Sequence, residues 1–334
     1  MRLFVRLLAA FGFFVVAVLL FNASWFAAPN PEAKLRLIAH RGVHQTFSRE
    51  NLTNDTCTAE RIHPPRHDFL ENTVASAQAA FDSGADIVEF DIAPTRDGRV
   101  AIFHDWTIDC RTEGTGATRD FSLAELQALD IGYGYTADGG ITFPFRGRNI
   151  GPMPELADML DGAKGGRFLV NFKSNDPGEA DMLAARLAER PDWRVRIWSA
   201  YGGQPPSDHI NALVPGLQAY GAPAAKTCLI DYLLYGWTGY VPPACRDTKI
   251  IVPANYAPLL WGWPHRFGER MRAVGSEIIL LGPMALSDAG TAGIDSIEEL
   301  NLIPAHFDGY VWTNRIEVIG PALGRGMAPA GIDG

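Results

Sequence analysis

Residues 87–92, Ile-Val-Glu-Phe-Asp-Ile, alternate apolar and acidic side chains with a period of two. Such a segment is a β-strand, with Glu89 and Asp91 on one face and Val88, Phe90 and Ile92 on the other. Its apolar content demands burial, and burial strips water from two carboxylates spaced about 7 Å apart along one strand. They then need a positive partner, either a hard divalent cation or the cation of a structural ion pair. A turn at 95–98 and a second apolar run at 100–103 follow, and that run delivers His104 and Asp105. An acidic pair, a hairpin turn and a histidine in one short stretch favour a metal or acid–base site over the ion pair.

The start of the chain lies outside the fold. Arg2 and Arg6 precede residues 7–28, which carry no charge and are long enough to span a bilayer. Trp25 and Phe26 interrupt the small residues that a signal cleavage site needs. The expectation is therefore an uncleaved signal anchor and linker over residues 1–30. With the arginines held inside, the body is exported, on the periplasmic or extracytoplasmic side. A net charge of −9 argues against a nucleic-acid partner.

The remaining residues alternate strands with helices, the pattern of a parallel sheet. Strands are expected at 35–39, 87–92, 100–103, 167–173, 195–199, 249–253, 277–281 and 309–314. Helices are expected at 72–81, 122–129, 154–160, 181–189, 266–274 and 296–300. Residues 43–70 read as an irregular excursion, and 200–248 resists assignment. A domain over 35–320, in a chain of 47% apolar content, suits a closed (β/α)8, or TIM, barrel. His40-Arg41, Glu89-Asp91, His104, Asn171-Lys173 and Trp312-Asn314 fall at or just beyond strand C-terminal ends. In such a barrel those ends form one mouth, where the chemistry sits. Oxyanion binding by Arg and Lys, metal binding by carboxylates and proton transfer by two imidazoles make a phosphodiester-cleaving set.

These residues carry a resemblance. AHRG at 39–42, ENT at 71–73, GADIVEFDIAPTRDG at 84–98 and VAIFHD at 100–105 resemble the glycerophosphodiester phosphodiesterases. RTEGTG at 111–116, the strand around Lys173 and VWTN at 311–314 extend the match in order over residues 35–315. The resemblance implies a TIM barrel that hydrolyses glycerophosphodiesters to an alcohol and glycerol 3-phosphate with a divalent metal, Mg²⁺ or Ca²⁺. It implies His40 and His104 as the acid–base pair, and Glu89 and Asp91 as metal ligands. Arg41 and Lys173 would hold phosphate, with Glu71 and Trp312 lining the site.

The chain departs from the family pattern at Asn171, where a third carboxylate is usual; an amide oxygen still binds a hard cation but adds no charge. About 28 residues separate the HRG and ENT motifs, which are normally close, so an insertion sits at the rim. Its histidines, His44, His63 and His67, are expected to be loop residues. The four cysteines show no zinc spacing and, in an exported chain, imply two disulfides among three pairings. Placement of the loops at the mouth favours Cys57 with Cys110, and Cys228 with Cys245. Two alternatives stand beside the family activity. One is the same chemistry on lysophospholipids, in the manner of a lysophospholipase D or sphingomyelinase D, with the aromatic-rich 232–263 stretch taking a lipid chain or simply packing. The other is a pseudoenzyme that binds a phospho-ligand.

Overall fold

The structure is a computed structural model that describes residues 1–53, 55–148, 151–285, 292–327 and 329. Nine strands are present: β1 (Leu35–Ala39), β2 (Ile87–Pro94), β3 (Val100–Ile102), β4 (Arg167–Phe172), β5 (Ile197–Gly202), β6 (Tyr220–Gly221), β7 (Lys249–Pro253), β8 (Glu277–Leu281) and β9 (Gly309–Thr313). The helices are α1 (Arg2–Asn22), α2 (Val74–Asp82), α3 (Leu123–Gln127), α4 (Leu156–Gly162), α5 (Gly178–Glu189), α6 (Gln204–Leu213), α7 (Ala222–Tyr235), α8 (His265–Ala273) and α9 (Ile316–Ala322). Eight strands pair in parallel in the order β6-β5-β4-β2-β1-β9-β8-β7, a nearly closed TIM barrel. Among the described residues no ladder joins β6 to β7. That seam is instead crossed by side chains: Gln218 accepts from Lys249 Nζ at 2.7 Å and donates to Asp247 and to the Gly275 carbonyl.

Alternation along the strands sorts residues into two cores. Outward-facing Val88, Phe90, Ile92 and Val170 pack under the helices in the larger core. Inward-facing Ile38, Ile87, Leu169, Trp198, Ile279 and Tyr310 fill the barrel. At its lower end Lys249 Nζ lies 2.5 Å from Glu277, which also accepts from Trp198 Nε1 and Tyr310 OH. Glu89 and Asp91 belong to the inward set, one layer above Ile87, and both are fully buried.

Three expectations from the sequence are corrected. Residues 100–103 are not a barrel strand. β3 runs antiparallel to the end of β2, with Ile92 opposite Ile102, so the hairpin folds back over the mouth. The strand expected at 195–199 begins at Ile197, because Pro191–Val195 winds into a 3-10 turn that buries Trp193. The helix expected at 296–300 is a 3-10 turn over Glu298–Leu302. The unassigned 200–248 stretch holds α6, the two-residue β6 and α7.

Capping boxes start α2 (Thr73 with Ser76) and, as the sequence implies, α3 (Ser122 with Glu125). Both expected disulfides form, Cys57–Cys110 and Cys228–Cys245. The first ties the rim insertion to the loop after β3. Of the aromatic 232–263 stretch, Tyr232 meets Phe267 edge-on and Trp263 packs tilted against it, outside the barrel wall and away from its interior.

Candidate active site

The chain leaving β1 makes a tight turn: Arg41 and Gly42 are both left-handed, with φ of 56° and 77°. A Cβ at Gly42 would stand 2.5 Å from Ser76 Oγ, so only glycine lets this turn sit against α2. The Arg41 carbonyl accepts from Asn72 N at 3.1 Å, locking the HRG turn to the ENT turn. These contacts turn His40 and Arg41 into the mouth beside Glu71 and Asn72. Opposite, the fold-back hairpin bonds Phe103 N to the Asp91 carbonyl at 3.1 Å and so brings His104 back over the strand end.

The acidic pair sits at the centre. Glu89 accepts from Tyr201 OH at 2.8 Å and from Arg41 N at 3.1 Å. Asp91 Oδ2 accepts from Asn72 Nδ2 at 2.9 Å and lies 3.2 Å from Arg41 Nε. Its Oδ1 accepts from Asn171 Nδ2 at 2.8 Å and faces Lys173 Nζ at 3.7 Å. The two carboxyls are pushed apart electrostatically. Burial and then the charge of Asp91 raise Glu89 to about 8. Burial would raise Asp91 too, but Arg41 and Lys173 outweigh it and hold that carboxyl far below its ordinary value.

Each histidine is oriented from behind. His40 Nδ1 lies 2.7 Å from Asn314 Oδ1, and Asn314 Nδ2 donates to Asp295 at 2.7 Å, which fixes the amide oxygen toward the ring. Nδ1 therefore carries the hydrogen, and Nε2 faces Glu89 at 3.9 Å. His104 Nδ1 lies 2.6 Å from Asp105, whose other oxygen accepts from Arg111 Nε at 2.8 Å. Burial, followed by the positive charge of Arg41, depresses both imidazoles, His40 further than His104. Arg111 also lies 3.1 Å from Glu71, which pairs with Arg41 at 3.0 Å. Burial works against the Glu71 charge, yet Arg111 and Arg41 hold its carboxyl below the usual range.

The structure thus gathers His40, Arg41, Glu71, Glu89, Asp91, His104, Asn171 and Lys173 at one mouth. Trp312 is a buried member of the barrel interior, its ring 4.9 Å from that of His40 and its Nε1 without a partner. Sequence reasoning missed the supporting residues Asn72, Asp105 and Arg111, although each lies inside a quoted motif. Tyr201 carried no signal. His44 lies in the loop after β1, as expected, but it is not exposed there. It is 3% exposed, its ring is 6.0 Å from that of His40, and Nε2 is buried without a partner. His63 is exposed as expected, whereas His67 is half-buried beneath Gln45; burial and the charge of His44 lower it to about 4.

Among the described residues no three His, Cys, Asp or Glu side chains are arranged to hold a metal ion. The donor chemistry still fits a hard cation. Glu89 and Asp91 supply carboxylate oxygens, and the Asn171 amide has an oxygen on the arm opposite the NH₂ that now bonds Asp91. A divalent ion between the carboxylates would relieve the repulsion that raises Glu89.

Residues 40–201 match the model of the glycerophosphoryl diester phosphodiesterase family. That match covers just under half of the chain. A glycerophosphodiester phosphodiesterase of Caldanaerobacter subterraneus subsp. tengcongensis is 36% identical over 124 residues, 36% of this chain and 47% of that protein. One from Bacillus subtilis is 31% identical over 123 residues, 35% of this chain and 41% of that protein. The matched segments span less than half the length of these relatives. Solved structures share the fold over most of the chain. The glycerophosphodiester phosphodiesterase of Agrobacterium tumefaciens superposes with a TM-score of 0.54 at 21% identity, covering 87% of this chain and all of that one. An Oleispira antarctica phosphodiesterase in complex with the product sn-glycerol-3-phosphate gives 0.51 at 19% identity, covering 86% and 96%.

Proposed function

We propose that this protein hydrolyses glycerophosphodiesters to an alcohol and glycerol 3-phosphate. The observation that carries the proposal is the pair of buried histidines, each with Nδ1 held by an acceptor, flanking Glu89, Asp91, Arg41 and Lys173. The two differ in what backs them. Asp105 carries a full negative charge and stabilises a protonated His104, whereas Asn314 offers His40 only an amide dipole. His40, the more depressed imidazole, is therefore the base that takes a proton on Nε2 from the attacking water as its oxygen bonds to phosphorus and the bond to the leaving alkoxide breaks. His104 is the acid that protonates the departing alkoxide. Arg41 and Lys173 neutralise charge on the phosphoryl oxygens, and Trp312 and Glu71 complete the walls.

Glu89, Asp91 and Asn171 would hold Mg²⁺ or Ca²⁺, which when bound supplies Lewis-acid stabilisation of the phosphate. The relative from Oleispira antarctica, in complex with sn-glycerol-3-phosphate, supports the choice of product. α1, with 21 residues and no charge after Arg6, supports membrane anchoring through residues 7–28 with the barrel outside the cytoplasm.

The test is phosphodiesterase activity on glycerophosphocholine and on lysophosphatidylcholine, each with and without EDTA. Release of glycerol 3-phosphate from the first substrate, lost with EDTA, is the expected result. Turnover of the lysolipid alone would move the assignment to a lysophospholipase D-like activity. Binding without turnover of either would make the barrel a pseudoenzyme.

A further inference from the structure

Helix α1 is strapped to the barrel along its second half. Phe14 meets Trp237 edge-on, with 6.0 Å between ring centroids. Asn22 donates to the Trp237 carbonyl at 2.8 Å and accepts from Arg270 at 2.9 Å. Just beyond the helix, Ser24 Oγ accepts from His265 N at 2.9 Å. From Phe14 to Asn22 is roughly 12 Å of helix, so the contact extends well down from the helix end.

Beside it, the C-terminal corner of α7 presents large apolar groups to the outside. Leu233, Leu234, Tyr235 and Tyr240 are 39%, 58%, 54% and 47% exposed. A helix end in water leaves its last carbonyls to solvent. At this corner side chains take them instead. Leu233 O accepts from Trp261 Nε1 at 2.9 Å, and Tyr235 O from Thr238 Oγ1 at 2.7 Å. Gly236 O accepts from Arg270 at 3.0 Å, and Trp237 O from Asn22. The Cys228–Cys245 disulfide pins the start of the same excursion. Apolar exposure combined with internally satisfied carbonyls is what hydrocarbon requires and water does not.

We propose that this corner, residues 233–240, is a membrane seat that rests in the interfacial region of a phospholipid bilayer beside α1. The inference rests on α1 spanning the bilayer, since what α1 touches then lies at the membrane. Tyr235, Trp237 and Tyr240 are the residue types that favour that interface. Asp231, one turn back from Leu234 and Tyr235 along α7, sets the limit of immersion. The seat gives the barrel one fixed orientation on the membrane; a flexible tether would give none.

The test uses the full-length protein in phosphatidylcholine–phosphatidylglycerol vesicles. Because the four native cysteines are bonded, single cysteines take a fluorophore selectively. Leu234→Cys and Tyr240→Cys report the seat, Phe13→Cys the helix, and Ile141→Cys an exposed site elsewhere. The seat labels are expected to be quenched by lipid-borne nitroxide and at least threefold less accessible to iodide than the label at position 141. A quenched helix label with seat labels as iodide-accessible as position 141 would overturn the seat and leave the anchor intact. Seat labels shielded from iodide yet untouched by lipid nitroxide would mean a protein occupant and would also overturn it. A helix label that lipid nitroxide does not quench would remove the anchor and the seat together.

Discussion

Replacing Asn171 with Glu tests the centre of the site, because it restores the carboxylate usual in the family at the point where this chain departs from it. The Asn171 amide donates to Asp91 Oδ1 at 2.8 Å. In the Asn171→Glu variant that hydrogen bond is replaced by a second carboxylate at about the same place. Two unit charges 4 Å apart repel by about 4 kcal/mol at an effective dielectric constant of 20. Lys173, 3.7 Å from Asp91, offsets part of this. The metal-free variant should therefore lose about 2–4 kcal/mol, or roughly 5–10 °C in Tm. With Mg²⁺ or Ca²⁺ the sign reverses, since a third anionic ligand tightens a hard-cation site. Recovering even half the repulsion corresponds to at least tenfold tighter binding, because about 1.4 kcal/mol is a factor of ten. Thermal unfolding of EDTA-treated protein across a metal titration reads both effects without activity. Equal metal-free Tm values, or superimposable titration curves for variant and wild type, would remove Asn171 from the metal site and refute the reasoning.

His40→Ala and His104→Ala should each lower kcat by about 10²–10⁴ with folding intact; near-normal turnover of either, with a native circular dichroism spectrum, would sink the acid–base assignment. Arg111→Met strips the counter-charge from two buried carboxylates, Asp105 and Glu71, and should cost about 3–5 kcal/mol in urea unfolding at pH 7. Both carboxyls are depressed in the folded protein, so their stabilisation is present above the unfolded carboxylate pKa of about 4 and is lost as pH falls through their folded values. The deficit of the variant should therefore persist from pH 7 to about pH 4 and shrink only below it, and a deficit that stays constant as the pH falls further would argue that Arg111 acts by packing alone. In the chain-entropy model, Cys228→Ser with Cys245→Ser should cost about 3 kcal/mol, and the corresponding Cys57 and Cys110 pair about 4 kcal/mol. Matched denaturation curves for the two double variants check the order.

The barrel was legible where strands carry a strong period and helices carry caps, as at 87–92 and at Ser122. It was illegible over 200–248 for two reasons. β6 is two residues long, too short to show a period. α7 exposes Ile230, Leu233, Leu234 and Tyr235 while burying Tyr232 and Cys228, so it has no polar face to mark it. The residues gathered at the mouth were legible because their chemistry is unusual for a strand end. Their supports were not. Tyr201 on Glu89 joins β5 to β2 across β4, and Asp295 behind Asn314 joins the loops after the neighbouring strands β8 and β9; no local pattern encodes either contact. The burial of His44 was not legible, because the rim insertion looks like an ordinary polar loop until the fold presses it against His40.

The gap in the barrel lies between two strands that are near neighbours in the chain, β6 and β7, whereas β1 and β9, more than 270 residues apart, are fully paired. Most of the loop-closure entropy of the fold therefore falls on a ladder that is complete. Among the described residues the seam is crossed by Gln218, by its partners Asp247, Lys249 and Gly275, and by the Cys228–Cys245 bridge. Breathing of the barrel is thereby directed to one known place. A widening there would spread the α7 excursion while the laddered strands β1, β2 and β4 stay in register.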